Sequence, residues 1–138
     1  MGKAIFDILR ENGASWVQCT GDFTKRVTSD KVQVFLSLSP SGYILVCYCE
    51  LPSGNYFEWL ELPTGIKIPK DVTHDDIVNK LRLTYPSLKS EDVFEIKNKW
   101  GEKIALSLIP SSRVLAVYGL VDGKDYFARV FLTRSLDV

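Results

Sequence analysis

Short strand-like runs between turn formers dominate this chain, some alternating and some apolar throughout, and the helical period appears in only two places. Such runs mark strands, and successive side chains of an extended chain point to opposite faces. They predict strands at Ser15–Thr20, Lys31–Leu38, Tyr43–Leu51, Asn55–Leu62, Asp92–Asn98, Lys103–Ile109, Arg113–Val121 and Lys124–Thr133. The separators are turn formers: Ser39-Pro40-Ser41-Gly42, Ser53-Gly54, Lys99-Trp100-Gly101 and Asp122-Gly123. Asp-Gly is the strongest of them, since a type I′ turn needs positive φ at both central residues.

The helical period predicts a helix over Lys3–Asn12, with Ile5, Ile8 and Leu9 on one face and Asn12-Gly13 as its stop. A second follows Thr73, an N-cap with Asp76 three residues on as a capping-box partner. Ile77, Val78, Leu81 and Tyr85 form its apolar stripe, and Pro86 ends it. The expected fold is α+β: mostly antiparallel β, about eight strands, with two helices packed on the sheet. Helix, four strands, helix, four strands also suggests a duplicated α-ββββ unit, residues 3–62 and 73–133, inside a single domain spanning 1–138.

Pairing the predicted strands through their turns assigns faces. A Ser53-Gly54 turn sets Leu51 against Tyr56, Cys49 against Glu58 and Cys47 against Leu60. A turn centred on Pro40-Ser41 sets Leu36 against Leu45 and Val34 against Cys47. Cys47 and Cys49 then share an aliphatic face with Val32, Val34, Leu36, Leu38, Leu45, Leu51, Leu60 and Leu62, so they read as small core hydrophobes. A Cys-x-Cys pair with a single histidine in the chain is a poor zinc set. No metal and no cofactor is expected.

The opposite face carries Gln33, Phe35, Ser37, Ile44, Val46, Tyr48, Glu50, Phe57, Trp59 and Glu61, with Tyr48 expected opposite Trp59. Rings mixed with charges suit neither a plain core nor a plain solvent face. Around the Asp-Gly turn, Tyr118 is expected opposite Phe127, with Arg129 and Phe131 on the same face. Either the helices cover these rings or part of the surface stays open to a partner. The candidate contact set is Phe35, Tyr48, Phe57 and Trp59, with Tyr118, Phe127 and Arg129 as a second patch.

Composition narrows the function classes. The 138 residues are 46% hydrophobic and 25% charged, an ordinary globular mix with enough chain for a core of its own. Lys plus Arg and Asp plus Glu number 17 each, which weakens sequence-independent nucleic-acid binding. Three cysteines are too few for a disulfide framework, and a reducing, cytoplasmic setting is expected. The first residues lack the apolar stretch of a signal peptide, and no apolar run reaches spanning length, so no membrane partner is expected.

No phosphate loop, nucleophile elbow or zinc helix occurs, and no catalytic residue is assigned. His74 reads as a first-turn helix residue, and Glu50 with Glu61 is the one carboxylate pair on a common face. The leading expectation is a non-enzymatic protein-binding or assembly module, with a protein partner or a second copy (a homodimer) on an aromatic sheet face. One alternative is a single-stranded nucleic-acid binder that stacks bases on the sheet, with Lys25, Arg26, Lys97, Lys99, Lys103 and Arg129 near the phosphates. In element order, though in no motif, the layout resembles that of the Whirly single-strand binders. The other alternative is a small enzyme whose site assembles from distant loops.

Overall fold

The computed structural model describes residues 7, 8, 11, 23–39, 43–98 and 100–136. Their ladders are all antiparallel and form two sheets. The first runs β1 (Thr24–Val27), β2 (Gln33–Leu38), β3 (Ile44–Leu51), β4 (Gly54–Glu61) and then β9 (Arg134–Leu136). The second runs β5 (Val93–Lys97), β6 (Lys103–Ile109), β7 (Val114–Val121) and β8 (Lys124–Phe131). The helix α1 (His74–Arg82) lies between them in sequence, and two short 3-10 turns cover Ser90–Asp92 and Pro110–Ser112.

The aliphatic faces of the two sheets meet. Val34, Leu36, Leu45, Cys47 and Cys49 of the first sheet join Phe94, Ile104, Leu106, Leu108, Leu115 and Val117 of the second in one buried cluster. Two sheets packed this way hide one face of each, which a single sheet under two helices does not require. Cys47 and Cys49 are both fully buried free thiols. Burial raises Cys47 well above the ordinary thiol range. Burial, then the Glu50 carboxylate, pushes Cys49 up to about 12. The thiolate is suppressed at both, so they pack as small hydrophobes.

The observed register differs from the expected one by two residues in both hairpins of the first sheet. Leu51 pairs with Gly54, Cys49 with Tyr56 and Cys47 with Glu58. Leu36 pairs with Cys47 and Val34 with Cys49. The β3–β4 turn is Pro52-Ser53 rather than Ser53-Gly54. An even slip keeps every side chain on its face, so the assignment of core and outer residues survives while the cross-strand partners change. The β7–β8 register is as expected, with Val121 opposite Lys124 and Tyr118 opposite Phe127. Asp122 and Gly123 take φ of 51° and 77°, the two positive values that a type I′ turn demands.

α1 covers the outer face of the second sheet. Ile77, Val78 and Leu81 pack on Ile68, Val93, Ala105 and Tyr118. Its N-terminus has the expected capping box, with Thr73 Oγ1 accepting from Asp76 N at 3.2 Å and Asp76 Oδ2 accepting from Thr73 N at 3.0 Å. Thr73→Ala is expected to lower stability by about 1 kcal/mol, read as a shift in urea midpoint at constant slope; a change within error would mean water replaces the cap without loss.

Of the expected first helix, only Asp7, Ile8 and Glu11 are among the described residues, and these three are helical. The expected strand Ser15–Thr20 lies outside them, as do Pro40, Ser41, Gly42 and Lys99 of the expected turns. α1 is thus the one complete α-helix among the described residues. Each half of the chain supplies a sheet, yet the first sheet takes its fifth strand, β9, from the far end of the chain. That exchange is not what a duplicated unit calls for. The segment before β2 also holds an unexpected strand, β1, and the tail pairs with β4 through Asn55–Leu136, Tyr56–Ser135 and Phe57–Arg134. No helix among the described residues is long and apolar enough to cross a membrane.

Candidate interaction surface

The first predicted patch is largely occupied by the protein itself. Tyr48 and Phe57 are 3% and 4% exposed. They pair directly across β3–β4, while Trp59 lies opposite Val46, so the expected Tyr48–Trp59 pair is corrected by the two-residue slip. Ile8 is buried in the same cluster as Val46, Tyr48 and Phe57, and so packs on the aromatic face. Phe35 and Trp59 are half-buried at its margin. Phe35 packs on Tyr48 with centroids 5.7 Å apart, and Phe57 stacks on Trp59 at 6.0 Å. The Arg134 guanidinium sits 3.5 Å from the Trp59 centroid, and its Nε donates to Glu58 Oε1 at 2.8 Å. Glu58 Oε2 also accepts from the Thr133 hydroxyl at 3.1 Å. This group of rings and charges closes β9 onto β4. Its aromatic character serves the fold at Tyr48 and Phe57, both of which are buried.

The second patch divides. Tyr118 is 5% exposed beneath α1, and its hydroxyl donates to Asp125 Oδ1 at 2.6 Å. Lys80 of α1 reaches Asp125 Oδ2 at 2.7 Å. Burial, then the bond to Asp125, raises the Tyr118 phenol, while Lys80 and then Tyr118 hold the Asp125 carboxyl below its usual range. Tyr118 therefore braces the helix against the sheet. Phe127 is 38% exposed with its ring 6.5 Å from that of Tyr85, and Arg129 is exposed. Phe131, next on the same face, is 59% exposed. The sequence placed Phe131 on that face, but it was not in the predicted contact set; its position two residues past Arg129 was the available signal. Leu83, at the C-terminus of α1, is 81% exposed beside a shallow cleft of about 530 Å³ that also touches Leu120, Lys80 and Asp125.

β8 is moreover a terminal strand of its sheet. Terminal strands present unpaired backbone groups, and proteins shield them with short length, charge or a covering element. β1 is four residues with Lys25 and Arg26 side by side, and β9 is three residues. β5 is five residues and carries Glu95 and Lys97. β8 has eight residues, carries Lys124, Asp125 and Arg129 beside two exposed phenylalanines, and is the longest terminal strand among the described residues.

The side chains with catalytic chemistry stand apart. Glu50 and Glu61 lie opposite Asn55 and Ile44, at the two ends of the β3–β4 hairpin, which separates them by about 20 Å at strand rise. His74 sits in the first turn of α1, as expected, with Nε2 at 2.9 Å from the Ser90 carbonyl oxygen and Nδ1 at 3.9 Å from Glu95 Oε2. No cluster of three or more His, Cys, Asp or Glu suited to a metal occurs among the described residues. No known protein family, characterised protein or solved structure matches this chain.

Proposed function

We propose that this protein is a non-enzymatic assembly module, and that its working surface is the exposed edge and outer face of β8. The observation that carries the reading is the pair Phe127 and Phe131, open to solvent on a long terminal strand. Burying what remains open of the two rings is worth about 1.5–3 kcal/mol per copy before the costs of association, and pairing of a terminal strand adds backbone hydrogen bonds.

The partner is a second copy of the chain. The outward residues of β8 read Asp125, Phe127, Arg129, with opposite charges placed symmetrically about a ring. In an antiparallel pair of β8 strands with the twofold at Phe127, each Asp125 opposes the other copy's Arg129 and the two Phe127 rings meet. Moving the twofold to Arg129 would instead oppose two arginines, a repulsive arrangement. Asp125 keeps acceptor capacity for this role, since Lys80 and Tyr118 use one position on each oxygen. The union of two four-stranded sheets across β8 would remove both edges at once.

Light scattering across a concentration series tests this. The parent protein is expected to pass from monomer to dimer as concentration rises. Arg129→Glu sets carboxylates against one another twice across the twofold and should weaken the dimer at least about tenfold. Phe127→Asp should weaken it further. Arg129 is a surface residue, so the first variant keeps the fold. A parent protein that stays monomeric into the hundreds of micromolar range (a concentration of about 10⁻⁴ M corresponds to weak association) sinks the proposal. So does a dimer indifferent to both variants.

A further inference from the structure

A second surface lies at the far side of the second sheet, away from β8. The segment after β4 crosses the β5–β6 hairpin, with Ile68 bridged to Lys103, and leaves a cleft of about 590 Å³ between them. That volume lies within the range of small-ligand sites. Four lysines line it, Lys67, Lys70, Lys97 and Lys103, against two carboxylates, Glu95 and Glu102. One carboxylate is already answered: Lys67 Nζ lies 3.4 Å from Glu102 Oε2. Lys70, Lys97 and Lys103 have no carboxylate within ion-pair distance among the described residues.

Two of those lysines are placed against each other. Lys97 and Lys103 are direct cross-strand partners in the β5–β6 ladder. Like charges in that position destabilise a sheet, so folding stability gives no reason for the pair. An anion bound between them does.

The third feature is Trp100. The residue is 53% exposed and is among those that line the same cleft. The turn that carries it is built from inside: Asn98, 9% exposed, accepts on Oδ1 from both Trp100 N and Glu102 N at 3.0 Å. Gly101 N donates to the Asn98 carbonyl at 3.0 Å, with Gly101 at φ 78°. Tyr43 packs behind the indole, with centroids 5.7 Å apart. The ring is thus held in position rather than left on a loose loop.

We propose that this cleft binds a nucleoside polyphosphate. The phosphates sit between Lys97 and Lys103 within reach of Lys70, and the base lies on the Trp100 indole over the apolar floor of Ile68 and Pro69. Lysine ammonium groups bind phosphate as point charges, and an indole face accepts any base. The cleft is far larger than one phosphate needs, which calls for a ligand with a ring. Glu95 and Glu102 bound the positive stretch on the lining itself, which favours a compact anion over a long nucleic-acid strand. The site is independent of β8 and of the dimer proposed above.

The test titrates the intact protein with ATP at low ionic strength, reading indole fluorescence and calorimetry. ATP should bind saturably and more weakly as salt is added. Trp100→Phe should remove the optical signal, which separates Trp100 from Trp16 and Trp59. Replacing Lys97 and Lys103 together by alanine should weaken ATP about 100-fold, at about tenfold per charged contact, while Tm holds or rises because the like-charge pair is gone. Pyrophosphate and adenosine should each bind at least about tenfold more weakly than ATP, since each keeps one half of the contacts. The assignment is overturned by the absence of saturable ATP binding, or by an unchanged affinity in the double variant. Pyrophosphate binding as tightly as ATP overturns it too, as does affinity that climbs with the length of an added oligothymidylate.

Discussion

Leu106→Ala lowers the unfolding free energy by about 2–5 kcal/mol, the usual cost of a large-to-small change where the site cannot collapse. Leu106 is wholly buried in the layer between the two sheets. It sits in β6 between Phe94 of β5 and Val117 of β7, both cross-strand partners held in their own ladders. Facing it is the first sheet, equally constrained. Neither side can move inward to fill the void, so both the lost transfer energy and the cavity term apply. Urea unfolding with unchanged slope is the measurement. Leu83→Ala, at a position 81% exposed, serves as the control and should change stability by no more than about 0.5 kcal/mol. A Leu106→Ala loss below about 1 kcal/mol would mean that the sheets are not packed face to face as described.

Gly119→Ala is the second large effect, and it works by crowding. A methyl group at Gly119 would meet Ile66 Cγ1 at 2.5 Å and Cδ1 at 3.0 Å. Ile66 is 3% exposed and belongs to the inter-sheet core, and its branched side chain has few other rotamers. Something must shift, at a cost of about 1–3 kcal/mol for an overpacked core. The neighbouring bridge couples that shift to the backbone, because Lys67 N donates to the Leu120 carbonyl at 3.1 Å and Leu120 N to the Lys67 carbonyl at 2.9 Å. Adding Ile66→Ala to Gly119→Ala should return part of the loss relative to the sum of the single variants. Simple additivity would show that the two positions do not touch.

Gly119 also shows how far the pattern of the chain could be read. A glycine inside a strand signals a close approach, but nothing local says what approaches. Ile66 comes from the connection between the halves, outside every element that the sequence predicts. Its role depends on which strands it crosses, and that is a tertiary fact.

The aromatic residues divide in the same way. Period-two alternation placed Phe35, Tyr48, Phe57 and Trp59 on one face, and they share it. It also placed Tyr118, Phe127, Arg129 and Phe131 together on the outer face of their hairpin. What alternation could not supply is the cover. Tyr48 and Phe57 are buried in one cluster with Ile8, and Tyr118 lies under α1, while Phe127 and Phe131 stay partly open although Lys80 of α1 reaches Asp125 on the same strand. Cover is set by where a distant segment lands, and no periodicity within a strand encodes it.

β9 makes the point about chain ends. Arg134-Ser135-Leu136 is too short to stand out from its neighbours by pattern. It becomes a strand because β8 delivers it beside β4, where Glu58 and Trp59 hold Arg134. β1 has the same origin, with Lys25 and Arg26 obscuring the alternation and β2 supplying the ladder.

The sequence alone determined the period of each long strand, the capped start of α1, the Asp-Gly turn and the inward direction of both buried thiols. These rest on contacts among near neighbours, and a two-residue slip leaves them intact because the pleat repeats every two residues. Only the tertiary structure decided that two sheets share one core, which rings are covered, and that Lys70 joins Lys97, Lys103 and Trp100 around one cleft. Those outcomes come from pairings across long stretches of chain, where the free energy depends on the whole set of surfaces brought together rather than on any local segment.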